Sequence, residues 1–76
     1  MNNTRRKQIA AIMAKLEELK EEVEALHDEE QECFDNLPEG IQMSERGEAM
    51  EEAAGNLEYA MDSIQEALDY LEESTN

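Results

Sequence analysis

Few residues in this 76-residue chain have types and spacing that could do chemistry. Glu24-Ala-Leu-His27 has the Glu-x-x-His spacing with which four-helix carboxylate proteins hold two metal ions, because residues three apart share a helix face. Such a site also needs an inward Glu on the other helix of each pair, and the second apolar-periodic segment has none on its seam. No metal or cofactor is therefore expected, and His27 is read as an ordinary helical residue. Glu30 interrupts an otherwise apolar seam, where a desolvated carboxylate is usually catalytic or paired. Its candidate partner is Arg46, the only basic residue after Lys20. A structural Glu30–Arg46 contact is expected, with a solvated Glu30 at a splayed helix end as the alternative.

Cys33 is the lone cysteine, so no intramolecular disulfide can form and a reducing, cytoplasmic setting is the natural reading. Acidic neighbours blunt a thiol's reactivity, and a buried or half-buried, inert Cys33 is expected. Asp35, Asn36, Glu39 and Gly40 faintly resemble a calcium loop, but Leu37 stands where an oxygen ligand belongs and turn chemistry explains them better. There is no Gly-rich phosphate loop, Ser-His-Asp set or paired-Cys motif. These observations point to a non-enzymatic protein with no catalytic residues.

The elements that would carry these residues are helices. Glu, Ala, Leu, Met and Gln abound, while β-branched and aromatic residues are scarce. From Ile9, the residues Ile12, Leu16, Leu19, Val23, Leu26, Glu30, Cys33 and Leu37 recur at alternating steps of three and four, the 3.5-residue period of a coiled-coil seam. Thr4 is the expected N-cap, and a helix over about 5–35 would be roughly 46 Å long. Pro38 and Gly40 mark a break at about 36–44, with Asn36 as a possible cap, Gly40 as the point of reversal and Ser44 capping the next helix.

The second helix, about 45–73, repeats Met50, Ala53, Leu57, Ala60, Ile64, Ala67 and Leu71, and Ala54, Met61 and Leu68 widen that stripe. The fold class expected is all-α: a single-domain antiparallel helical hairpin. Two helices cannot cover both stripes, so a homodimer forming a four-helix bundle is expected. Its seam would comprise Ile9, Ile12, Leu16, Leu19, Val23, Leu26, Leu57, Met61, Ile64, Leu68 and Leu71. Small residues at Ala10, Ala11, Ala14, Ala53, Ala54 and Gly55 would let helices approach closely. Gly55 marks either a tight crossing or a tolerated exposed glycine.

Charge is the stronger signal for function. Residues 1–20 carry five basic and two acidic side chains, whereas residues 21–76 carry nineteen acidic and one basic. A hairpin would lay Arg5, Arg6 and Lys7 beside Glu66, Asp69, Glu72 and Glu73. The acidic body repels nucleic acid and anionic membranes and attracts basic surfaces. No apolar run is long enough for a signal peptide or membrane span, so a soluble, unprocessed protein without membrane partners is expected. Like-charge neighbours such as Glu17 with Glu21 and Asp28 with Glu32 each cost a few tenths of a kcal/mol. Rows of carboxylates on a rod can imitate duplex phosphates, and the residues expected to meet a basic partner are Glu17, Glu18, Glu21, Glu22, Asp28, Glu29, Glu32, Glu48, Glu51, Glu52, Glu58 and Asp62.

The run Asp35-Asn36-Leu37-Pro38-Glu39, followed by Gln42, Ser44-Glu45-Arg46, Glu48 and Met50-Glu51, resembles small acidic proteins of unassigned function from phages and prophages of Gram-positive bacteria. The resemblance brings no activity with it. It implies a viral or mobile-element setting, hence an inhibitor of a basic, nucleic-acid-binding host protein, a defence factor included, acting in the host cytoplasm without binding nucleic acid directly. The competing expectation is a structural or assembly protein acting by helix–helix self-association.

Overall fold

The computed structural model describes residues 1–76 as three helices: α1 (Asn3–Asp35), α2 (Glu39–Gln42) and α3 (Glu45–Thr75). There is no strand. The two long helices pack antiparallel into a rod of 58 × 15 × 12 Å, an all-α hairpin as the period and the single proline indicate.

The cap of α1 is Asn2 rather than Thr4: the Asn2 side chain accepts a hydrogen bond from the Arg5 amide at 2.8 Å, and Thr4 lies inside the first turn. Asn is at least as good a cap as Thr, which is why the helix starts earlier than its first apolar residue suggests. Asn36 ends α1 rather than capping α2. The residue before α2 is Pro38, at φ −56° and ψ 146°. Gly40 is not a reversal point, since it lies within α2 and no residue of the chain has positive φ. The chain turns through this short helix instead. Ser44 caps α3 as expected, accepting from the Gly47 amide at 3.5 Å while its hydroxyl donates to the Ile41 carbonyl.

Two contacts fasten the corner. Gln42 Nε2 donates to the Phe34 carbonyl at 2.9 Å and lies 3.5 Å from that of Asp35, adding a side-chain donor at the end of α1, where the Phe34 carbonyl also accepts from the Leu37 amide at 3.1 Å. Gly47, one of three buried residues, lies under the Gln42 backbone. A Cβ there would stand 2.6 Å from Gln42 Cα and closer still to its carbonyl oxygen. Gly55, by contrast, has nothing within 4 Å of where a Cβ would be, so it marks no tight crossing between α1 and α3.

The core is thin: Ala54 and Leu68 are its only buried apolar residues. Ile9, Leu16, Val23 and Glu30 of α1, and Leu37 just beyond its end, are half-buried, as the expected seam requires. The other covered row is Met13, Lys20, His27 and Phe34, not Ile12, Leu19, Leu26 and Cys33. The long stem of Lys20 lies in the seam while its Nζ reaches Gln65 Oε1 at 2.7 Å, the behaviour of an amphipathic side chain at a helix contact.

Candidate interaction surface

The Lys20–Gln65 bond marks the register of the hairpin and shows which expected ion pairs are within reach. Carried along both helices, it brings Ala10 level with Thr75, so Arg5, Arg6 and Lys7 stand beyond the last turn of α3. None of them pairs with Glu66, Asp69, Glu72 or Glu73; the only acid–base contact within 4 Å is His27 Nδ1 to Asp28 Oδ1, at 3.2 Å. The same register sets Glu30 level with Ala54 and Gly55, and Arg46 level with Leu37 to Glu39. Glu30 and Arg46 are thus separated by about two helical turns and form no ion pair. Glu30 is half-buried, lining an open groove with Leu26, Cys33 and Leu57, and Arg46 is exposed.

The stripe that the hairpin leaves out is the most apolar row of α1. Ile12 is 47% exposed, Leu19 51% and Leu26 54%, and Cys33, expected to be covered, is exposed too. Of the remaining seam residues, Leu57, Met61, Ile64 and Leu71 are half-buried and Leu68 is buried. Leu26, Cys33 and Leu57 line one open groove with Glu29, Glu30, Glu32 and Asn36, so the exposed stripe of α1 and the Leu57 row of α3 open onto the same side of the rod. Stepping by seven residues along that side places Leu19 beside Ile64 and Ile12 beside Leu71. An apolar strip therefore runs along this side, bordered at its corner end by Glu29, Glu30 and Glu32.

Carboxylates are partitioned around this face. In heptad numbering, all ten acidic residues of α3 fall on three of the seven positions, those of Glu51, Glu48 and Glu52. The other four positions form one continuous arc on which the only charge is Arg46. On that arc the row of Leu57 is flanked by Ala53, Ala60 and Ala67. Helix α1 is less segregated, with Glu18, Glu22, Glu29 and Glu32 bordering its exposed stripe and Glu17, Glu21, Glu24 and Asp28 pointing away from it. Each of the twelve carboxylates expected to meet a partner is exposed.

A second open groove at the far end of the rod is lined by Glu66, Asp69, Tyr70, Glu72, Glu73 and Asn76. No three His, Cys, Asp or Glu side chains are placed to hold a metal ion, and Glu24 and His27 find no further ligand. No helix is long and apolar enough to cross a membrane. The arrangement defines an acidic helical hairpin with one apolar face and one carboxylate face. Compared with protein-family models, curated proteins and solved structures, the chain has no significant match to any of them.

Proposed function

We propose that this chain is a non-enzymatic binding protein whose carboxylate face occupies the basic surface of a nucleic-acid-binding protein. The observation that supports this reading is the partition of charge on α3, where ten exposed carboxylates crowd into less than half of the circumference. Solubility alone needs no such crowding, and like charges at neighbouring helical positions oppose folding. With one close acid–base contact in the whole chain, almost none of this charge is neutralised internally. The resemblance of the Asp35–Met50 region to small phage proteins makes an inhibitor of a host DNA- or RNA-binding protein, working in the host cytoplasm, the specific form of the proposal.

The test is capture from a Gram-positive bacterial lysate on immobilised protein at low and high salt, with the captured proteins identified by mass spectrometry. A nucleic-acid-binding protein that is released by high salt and competed by duplex DNA supports the reading. Salt-insensitive self-association with no such partner contradicts it. The second reading, a structural protein acting by helix–helix association, is favoured by the exposed Ile12–Leu19–Leu26 row.

A further inference from the structure

The apolar face and the neutral arc of α3 together specify an occupant. We propose that a second copy of the chain covers this face, with α1 of each copy lying on α3 of the other, so that both α2 corners sit at the same end of a four-helix bundle.

Area points to a second copy. A compact protein of 8.7 kDa exposes about 4,700 Å² by the usual scaling of surface with mass. This hairpin exposes 5768 Å², an excess of about 1,000 Å². Stable interfaces bury roughly 800 Å² per partner. The apolar side of a rod 58 Å long and about two helix diameters wide can supply that much. The period supports the same occupant, because an apolar row repeating every seven residues is matched by another row of the same period.

Charge selects the orientation. Two hairpins can stack face to face with α1 on α1 or with α1 on the partner's α3. The first sets the acidic border of α1, Glu18, Glu22, Glu29 and Glu32, against its own copy, with Lys15 as the one offsetting cation. The second lays that border on the arc of α3 that has no carboxylate. Ile12, Leu19 and Leu26 then meet Leu71, Ile64 and Leu57 of the other copy at the heights they already share within one chain. All adjacent helices remain antiparallel.

This arrangement stands on the apolar face, takes up Glu18, Glu22, Glu29 and Glu32 at its edge, and leaves the carboxylates of α3 outside the contact. Two copies at −15 each along 58 Å carry about one net charge per 2 Å, against about one per 1.7 Å for duplex DNA. A single copy has half that density.

The experiment places one spin label at Met43, which is 79% exposed at the corner, using Met43→Cys in a Cys33→Ala background. Pulsed dipolar spectroscopy reads the distance between copies, and light scattering on the unlabelled wild type checks that association does not depend on the changes. Helices packed 8–10 Å apart put the two labels below about 30 Å. A distance near the 58 Å length of the rod would mean α1 on α1 and overturn the proposed orientation. Absence of any intermolecular distance, with a wild-type mass of 8.7 kDa, would overturn the dimer itself.

Discussion

Gln42 and Gly47 hold the corner of the hairpin from both sides: the Gln42 side chain closes the end of α1, and its backbone lies so close to Gly47 that no side chain fits between α2 and α3. The glycine is needed here for space and not for an unusual dihedral, since its φ is not positive. Gly47→Ala should therefore force α2 off α3. The expected loss is about 2 kcal/mol or more, which in a domain of this size lowers Tm by roughly 8–16 °C. Thermal unfolding followed by circular dichroism measures it, and an unchanged Tm would show that the corner does not pack this way.

Gln42→Ala keeps the backbone approach and removes the bond to the Phe34 carbonyl with the longer contact to that of Asp35. A single hydrogen bond of this kind is worth about 1 kcal/mol net. The variant should be less damaged than Gly47→Ala, with the difference visible in urea midpoints at an unchanged slope.

Gly55→Ala is expected to act in the opposite direction. The position is helical and nothing stands within 4 Å of a new Cβ, so the change should stabilise the chain by about 0.5–1 kcal/mol. A destabilised variant would indicate a neighbour packed on that side, which is the carboxylate side and not the face assigned to the second copy.

Leu68→Ala and Leu26→Ala separate the core of one hairpin from the contact between two. Leu68 is 4% exposed, and truncating it should cost about 2–5 kcal/mol at any protein concentration. Leu26 is half-exposed in the single chain, so its truncation should cost about 1 kcal/mol or less at nanomolar concentration and more at micromolar, where association contributes to stability. Equal losses at both concentrations would remove Leu26 from the interface.

With one close acid–base contact against 21 acidic residues, screening should favour folding. Raising ionic strength from about 0.01 M to 1 M shortens the Debye length from about 30 Å to about 3 Å. Tm should rise accordingly, and a fall would mean that attractive pairs dominate in solution.

The two helices, their antiparallel packing and the cap at Ser44 were legible from period, composition and one proline. The face of α1 that meets α3 was only half legible. The row Ile9, Leu16, Val23, Glu30 and Leu37 is common to both readings, but its companion within the chain is Met13, Lys20, His27 and Phe34, a mixed row that looks solvent-facing in the sequence. Apolar spacing records every surface that a sequence has to bury and does not say which partner covers it. The ion pairs at Arg5–Lys7 and Glu30–Arg46 were misplaced because register depends on how the corner is built. That rested on Gly47, whose tight packing was not anticipated; its place three residues after the Ser44 cap, where a glutamate often completes the cap, was the available signal.

The hairpin is two-faced: another copy covers its apolar side, with the acidic border of α1, and the carboxylates of α3 are left free. Multi-angle light scattering on the unmodified protein at micromolar concentration tests it most directly. The expected mass is twice the chain's 8.7 kDa, reduced to a single chain by Leu19→Glu and left unchanged by Glu58→Lys on the opposite side. A single-chain mass for the wild type, or a dimer that Leu19→Glu leaves intact, would contradict it.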